Sequence, residues 1–334
     1  PPPPPPPPDT HPPRLSSAAS DVYKRQVSLR VMAPSTLGTF LRSFSFGHVR
    51  QLEAVNDIVR QRAWTAGTAP GALVVDVDSA ICEVVGKAKQ GAAYGYTHVV
   101  GYHPLLATID GSGEILHGRL RKGSANTQRG ATRFVNELVA RARRDDRTRK
   151  LTIRFDAGFW SNATLLNLTR LDVRYTMAIR TSVSAVHNAI EGIADEAWQS
   201  TPYTKDGETE LAECDYTSGH GTKRVTRRMI VRRTRFTDTT QQELWPDWRH
   251  HAFLTDLDGD VVDVDRFHRE HATVELAIKD LKAGAGLEHL PSGVFSAISA
   301  WFQIAILAQN MMRWTTRLGG HDTERLIVSR TIHT

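Results

Sequence analysis

The stretch Gly71-Ala-Leu-Val-Val-Asp-Val-Asp-Ser-Ala-Ile81 decides the fold prediction. Its apolar, β-branched run is typical of a strand that is buried on both faces in the middle of a sheet. Asp76 and Asp78 are two residues apart, so their side chains point to the same face of that strand. Because an unpaired carboxylate beside a core is costly, it needs a hydrogen bond, an ion pair or a metal. Taken alone, the stretch also fits a strand end with one solvated and one capping aspartate.

The composition is typical of a globular protein with one large or two modest domains. The chain has 334 residues, of which 40% are hydrophobic and 23% are charged. Its net charge of +6 favours a polyanionic partner such as nucleic acid, although the charge is spread over a long chain. The two cysteines, Cys82 and Cys214, exclude a disulfide framework and a cysteine-type zinc site, and the 14 histidines form no convincing ligand pattern.

The two ends of the chain are predicted to lie outside the main domain. Residues 1–26 begin with a polyproline run and are expected to be disordered. Because residues 21–26 resemble the translation of a sequencing adapter, we interpret 1–26 as an assembly artefact that leaves the reading frame cut at its start. Residues 27–70 are predicted to be helices and a linker, which either pack on the next domain or remain from a lost upstream domain. Residues 319–334 form a tail.

Residues 71–180 show a regular order of predicted elements, β-β-β-α-β-α-β. Three strands joined by hairpins and followed by βα units predict a sheet with an antiparallel half and a parallel half. The second strand is expected from about His98 to Ile109, with Pro104 at a bulge or a sheet edge. The fourth strand covers residues 151–155 and ends at Asp156.

Residues 181–250 depart from this order and are predicted to be a β-rich insertion. A basic cluster marks its second half, in a segment whose alternation indicates a strand with charges on one side. The cluster consists of Lys223, Arg224, Arg227, Arg228, Arg232, Arg233 and Arg235. A solvated strand face and a surface that contacts phosphate both explain such a pattern, and the sequence leaves both open.

Residues 251–318 are predicted to form a strand, an acidic turn, a long helix and a final buried helix. The long helix is expected from about Val264 to Lys282, with an apolar stripe on one side. Helical spacing places His268, His271 and Glu275 on one shared face. The final helix is apolar, but the polar side chains within it argue against a membrane span.

Three acidic positions resemble a known pattern. Asp78 followed by Ser79 ends the first strand, Asp156-Ala-Gly-Phe ends the fourth, and Glu275 lies on the late helix with Lys282 seven residues on. This arrangement resembles the Asp-Asp-Glu transposases of bacterial insertion sequences, and it is most similar to the insertion-sequence thirteen-eighty branch. The resemblance covers roughly residues 27–318.

The late helix resembles the family signature Tyr-x2-Arg-x3-Glu-x6-Lys, with two departures. His268 stands where the signature has Tyr, and His271 stands where it has Arg. These departures affect the position expected to face phosphate, His271, and none of them affects the three acidic positions. The residues expected to contact DNA, by resemblance or from the basic cluster, are Lys282, His271, Arg227, Arg228, Arg232 and Arg233.

The resemblance implies an α/β fold: an RNase H-like mixed five-stranded sheet flanked by helices, with the β-rich insertion before the last catalytic helix. It implies a transposase that cleaves and transfers DNA strands, with Asp78, Asp156 and Glu275 as catalytic residues and as ligands of Mg2+, for which Mn2+ can substitute. Two-metal chemistry at phosphorus explains why three carboxylates are needed. Asp76 is the runner-up for the first position, because it shares the face of Asp78.

The expected partners and location follow from the same resemblance. The partners are DNA, as terminal inverted repeats and as target DNA, and a second copy of the chain as a homodimer in the synaptic complex. We expect no membrane association and a place in the bacterial cytoplasm, at the nucleoid. Two alternatives stay open: an inactive remnant that only binds DNA, and a nuclease of the same fold. In the active enzyme, Asp78 and Asp156 should end adjacent parallel strands, and Glu275 should project toward them.

Overall fold

Helices and strands alternate along the chain in the computed structural model. It describes residues 33–320 apart from 87, 96–97, 145, 203–206 and 237–247, so the expectations for residues 1–26 and for all but the start of the tail lie outside it. The α-helices of this part are α1 Pro34–Arg42, α2 Phe46–Ala63, α3 Ala131–Ala142, α4 Asn162–Arg170, α5 Ser184–Glu191, α6 Val261–Arg269, α7 Val274–Ala283 and α8 Phe295–Leu318. The strands are β1 Leu73–Ser79, β2 Cys82–Glu83, β3 Ala93–Tyr94, β4 Val100–Tyr102, β5 Leu105–Ile109, β6 Ile115–Arg119, β7 Leu151–Phe155, β8 Arg174–Ile179, β9 Gln199–Ser200, β10 Gly207–Ser218, β11 Val225–Phe236 and β12 Arg249–Thr255.

One mixed sheet forms the centre of the fold. Within the described ranges its strand order is β6-β5-β1-β7-β8-β12-β11-β10-β9. Strand β1 is antiparallel to β5 and parallel to β7, and β7 is parallel to β8. The parallel pair β1 and β7 is possible because a crossover that contains α3 connects them. The first five strands of this order are the predicted RNase H-like mixed sheet, which is confirmed.

The β-rich segment continues this sheet beyond β8. Strand β12 pairs antiparallel with β8, and β11 and β10 follow as a long antiparallel hairpin with β9 at the edge. Residues 181–250, predicted to be a β-rich insertion before the last catalytic helix, supply β9, β10 and β11, and together with β12 these strands extend the five-stranded sheet to nine strands within the described ranges. The physical reason is that a free edge at β8 would leave a row of backbone donors and acceptors unpaired.

The two faces of the sheet are covered by different helices. Val75 and Val77 of β1 are 0% exposed and pack in one apolar cluster with Phe134 of α3. On the opposite face, Ile278 of α7 and Phe302 of α8 belong to a second cluster. This arrangement gives three layers, with the sheet between two layers of helices. No helix in the described part of the chain combines the length and the apolar character that crossing a membrane requires.

Two predicted elements are each divided in the structure. The strand expected from His98 to Ile109 becomes β4, which lies in a small sheet of order β2-β4-β3, and β5 in the main sheet. Pro104 lies at the break, where a residue without an N–H interrupts the strand and its carbonyl accepts a hydrogen bond from the Ala80 N–H. The helix expected over residues 264–282 becomes α6 and α7, joined by the 3-10 turn Glu270–Thr273.

The N-terminal helix α2 is attached to the core by buried charges. Arg141 of α3 donates to Oε2 of Glu53 at 2.7 Å and also to the carboxylate of Asp57. Glu53 is 5% exposed and Asp57 is 1% exposed. The side-chain amide of Asn56 donates to the carbonyl and the side chain of Gln303 on α8. The described part of residues 27–70 therefore packs on the sheet domain as part of one body.

Acidification is expected to destabilise the fold through His117 of β6. Burial lowers the pKa of His117 to about 4, against its usual 6.5. Between these two values the unfolded chain binds a proton that the native protein does not, so stability falls as the pH drops from 6.5 toward 4. The expected slope is roughly 1.4 kcal/mol per pH unit for this group. Urea unfolding from pH 7 to pH 5 measures it, and a His117→Asn variant with an unchanged slope would contradict the assignment.

Candidate active site

The carboxyl ends of β1 and β7 each lead into an aspartate. In the parallel ladder Val77 lies opposite Phe155, so Asp78 and Asp156 occupy the next matching positions at one edge of the sheet. The prediction that their strands are adjacent and parallel is confirmed. Oδ1 of Asp78 accepts the Ser79 N–H at 2.6 Å, and Oδ1 of Asp156 accepts the N–H of the residue after it. These bonds orient both carboxylates locally.

Glu275 reaches the same edge of the sheet from α7. A depression of about 340 Å³ at the end of β1 is lined by Asp78, Glu275, Lys279 and Lys282, together with apolar neighbours. The three α7 residues are four and three positions apart, so they lie on one face of the helix. The helix itself is held by Ile278, which packs in the apolar cluster beneath it. Glu275 therefore lies on the same side of the sheet as Asp78, as predicted, whereas Asp156 lines a different cavity and not this depression.

The electrostatics of Asp78 connect the three acids. Burial raises the pKa of Asp78, and the neighbouring carboxylates of Asp156 and Glu275 raise it further. The Ser79 N–H and His271 act in the opposite direction. Two carboxylates that raise the pKa of Asp78 are close enough to repel its negative charge. A positive charge placed among these acids would relieve that repulsion.

Asp76 has its own partners and is not free to act as the first acid. Its carboxylate accepts two hydrogen bonds from Arg154, at 2.7 and 2.8 Å. Nδ1 of His271 lies 2.7 Å from Oδ1 of Asp76. Asp76 is 1% exposed, whereas Asp78 is partly exposed and lines the depression. Of the two aspartates that share a face of β1, Asp78 is the one that a ligand can reach.

The three acids are of the right chemical type to bind a divalent cation, but their side chains are not arranged as a binding site for one. Among the residues that the structure describes, no group of three or more His, Cys, Asp or Glu side chains is placed to hold a metal ion. Asp78, Asp156 and Glu275 nevertheless supply only oxygen ligands, which hard cations such as Mg2+ prefer. Such a cation would remove the repulsion that Asp156 and Glu275 exert on Asp78.

The two histidines of the late helix have different neighbours. His268 of α6 is buried, with Nδ1 at 2.7 Å from Oγ1 of Thr176, and its ring stacks on Phe253 at 4.2 Å. His271 lies in the 3-10 turn and contacts Asp76. The prediction that both share one helix face with Glu275 is wrong, because the helix breaks between them.

The four arginines of the basic cluster that were predicted to contact DNA lie on β11. Each has a hydrogen-bond or ion-pair partner inside the protein. The pairs are Arg227 with Tyr175, Arg228 with Glu213, Arg232 with Asp265, and Arg233 with Glu210. DNA contact by these arginines stays a prediction. The pairing could not be predicted from local pattern, because it depends on which residues the hairpin register and the neighbouring elements bring beside β11.

Sequence reasoning missed two features beside the strand-end aspartates. A second cavity, of about 620 Å³, adjoins Asp156 and is lined by polar and aromatic side chains that include Gln128, Trp160 and Arg180. The other feature is Arg154, which is 0% exposed on β7. Its signal was available, because a charged residue inside a buried strand and two positions before Asp156 requires a partner on the same face.

Comparisons with known proteins identify the family of this chain. A family model described as "Transposase DDE domain group 1" matches residues 17–331. No curated protein matches the sequence. A chain of the "Cryo-EM structure of piggyBac transposase synaptic complex with hairpin DNA" is similar in structure, with a TM-score of 0.49 and 13% identity. That similarity covers 79% of this chain and 51% of the other, so this chain spans about half the length of the one it matches. The family match includes both strand-end aspartates and the Glu275 helix, and the chain belongs to the group 1 family of transposase DDE domains.

Proposed function

We propose that this protein catalyses cleavage of DNA strands and their transfer during movement of an insertion sequence, in a reaction that depends on a divalent cation. One observation carries the proposal. Asp78 and Asp156 follow matching positions on adjacent parallel strands, and Glu275 lines the depression that contains Asp78. The family to which the chain belongs supplies the reaction class.

The three acids and the lysines of the depression have different proposed roles. Asp78, Asp156 and Glu275 would hold Mg2+, or Mn2+ in its place, and such ions promote attack at phosphorus and stabilise the leaving oxygen. Lys282 and Lys279 line the same depression and add positive charge where a DNA phosphate would lie. The Ser79 N–H fixes one oxygen of Asp78 and leaves the other available as a ligand.

The proposed partners are the terminal inverted repeats of an insertion sequence and target DNA. The net charge of +6 supports a polyanionic partner. We extend the proposal to a homodimer in the synaptic complex and to action at the nucleoid of a bacterial cell. The contacts of His271 and the β11 arginines with DNA belong to the same proposal, with the arginines exchanging some protein partners for phosphate.

A plasmid assay tests the proposed function. A supercoiled plasmid that carries the genomic DNA from both sides of the coding sequence is incubated with the protein in Mg2+, in Mn2+ or in EDTA, together with a second plasmid as target. We expect nicked and joined products in either metal and none in EDTA. Cleavage without joining would identify a nuclease instead. Binding without cleavage would overturn the proposal and leave an inactive DNA-binding remnant.

A further inference from the structure

A buried ion pair lies directly beneath the two strand-end aspartates. Arg154 precedes Asp156 by two residues, Asp76 precedes Asp78 by two, and the ladder pairs Asp76 with Arg154. Because side chains two apart share a face, this pair lies one step further into the sheet than the acids at its edge. Nε and Nη2 of Arg154 donate to the two carboxylate oxygens of Asp76 at 2.7 and 2.8 Å.

The other contacts of this pair hold the corner between α6 and α7, by which we mean residues 267–273. Nη1 of Arg154 donates to the carbonyl oxygen of Phe267 at 2.9 Å and to Oε2 of Glu270 at 3.2 Å. The guanidinium also lies 5.0 Å from the centre of the Phe267 ring. His271 of the turn contacts Asp76 at 2.7 Å. Three residues of one corner are therefore tied to a single ion pair between β1 and β7.

We infer that Arg154 is a positioning residue that fixes where Glu275 stands relative to Asp78. Glu275 lies four residues after His271, the last corner residue that contacts the ion pair. The turn at which α7 starts sets the direction of that helix. The same guanidinium reaches both β1 and the corner, so it ties the acid on the helix to the acids on the strands. The rate effect of this inference rests on the proposed function, whereas the placement of α7 does not.

The shape of the guanidinium shows how a role of Arg154 in positioning can be distinguished from a role in neutralising nearby acids. Arg154 faces Asp76, and its Nη2 also lies 2.9 Å from Oδ1 of Asp110. A lysine could neutralise these acids as a point charge. It could not donate to Asp76 through two nitrogens and at the same time reach the carbonyl of Phe267, because that needs the planar fork of arginine. An Arg154→Lys variant therefore keeps the positive charge and loses the hydrogen bonds from residue 154 to Phe267 and Glu270.

Two measurements on Arg154→Lys test the inference. Amide hydrogen exchange is expected to rise in residues 267–275 and to stay unchanged in β1, because only the corner is released. Single-turnover DNA cleavage is expected to fall about 100-fold with unchanged DNA affinity, as for a reacting group displaced by about 1 Å. The matched control is Arg141→Lys, a buried arginine that bonds two acids and does not touch the corner. It should alter neither the exchange of residues 267–275 nor cleavage.

The results that would overturn the inference are equally specific. Unchanged exchange in residues 267–275 of Arg154→Lys refutes it, and so does an equal loss of protection throughout β1. If Arg154→Lys does not fold, Glu270→Gln decides, because that side chain is 50% exposed, so that its replacement is expected to leave the fold intact while weakening its contact with Arg154. Faster exchange at the corner then supports the inference, and unchanged exchange refutes it. If the wild type fails to cleave DNA, the proposed function falls, and the exchange experiment still decides the role of Arg154.

Discussion

Asp156→Asn is expected to abolish DNA cleavage while DNA binding stays nearly intact, and Asp78→Asn and Glu275→Gln are expected to do the same. The amide replacements keep the size of each side chain and remove the negative charge that would hold a divalent cation. Loss of that cation removes several kcal/mol of transition-state stabilisation, or about 1,000-fold or more in rate. Affinity for DNA should change little, because it comes mainly from basic contacts with phosphate.

An acid outside the proposed site provides the control for this prediction. Asp258 lies in the turn before α6, with a side chain that is 95% exposed, and it pairs with Arg174 at the surface. Asp258→Asn makes the same chemical change away from the depression and should leave cleavage unchanged. Cleavage and filter binding are measured on the same preparations with one labelled duplex. Nicking near the wild-type rate by any of the three variants would remove that residue from the proposed site.

Arg141→Met is expected to lower the free energy of unfolding by about 3–5 kcal/mol, because it leaves buried carboxylates without their counter-charge. Arg141 is 7% exposed, and it bonds both Glu53 and Asp57 of α2. Asp57 also pairs with Arg60 at 3.0 Å, which supplies only part of the lost charge. The expected result is a protein in which α2 detaches more easily from α3. Urea denaturation monitored by tryptophan fluorescence measures the change.

Arg144→Met is the matched control for this stability prediction. Arg144 also contacts Asp57, at 3.0 Å, but its side chain is 44% exposed. An ion pair that water screens contributes little, so the expected loss is below about 1 kcal/mol. Equal losses for Arg141→Met and Arg144→Met would show that burial of the ion pair does not hold α2 on the core.

The sequence predicted those features that depend on local pattern. The β-branched run up to Val77 has the composition of a central strand, and the order of hairpins and βα units predicts its parallel neighbour. Two-residue alternation then places Asp78 at the strand end, and Asp156 follows its own strand in the same way. The helical spacing from Glu275 to Lys282 survives because both lie within α7. The five strands were thus predicted from periodicity and element order, and the three acids were selected by the family resemblance.

The features that the sequence did not predict depend on contacts between distant residues. The bond between Asp76 and Arg154 requires the register of β1 against β7, which no local pattern supplies. The helix break at Glu270–Thr273 coincides with residues that bond to that pair, so tertiary contacts override the helical periodicity there. The pairing of Arg232 with Asp265 likewise joins β11 to a helix that follows it only after β12.

The central claim is that three acids distant in sequence act as one cation site on DNA. Fe2+ can replace Mg2+ at such a site, and with ascorbate and peroxide it generates radicals that cut the polypeptide next to the bound ion. On the protein bound to its plasmid DNA, we predict cuts beside Asp78, Asp156 and Glu275 together, all suppressed by excess Mg2+ and all lost in Asp156→Asn. Cuts at only one of these places, or cuts that persist in Asp156→Asn, would contradict the account.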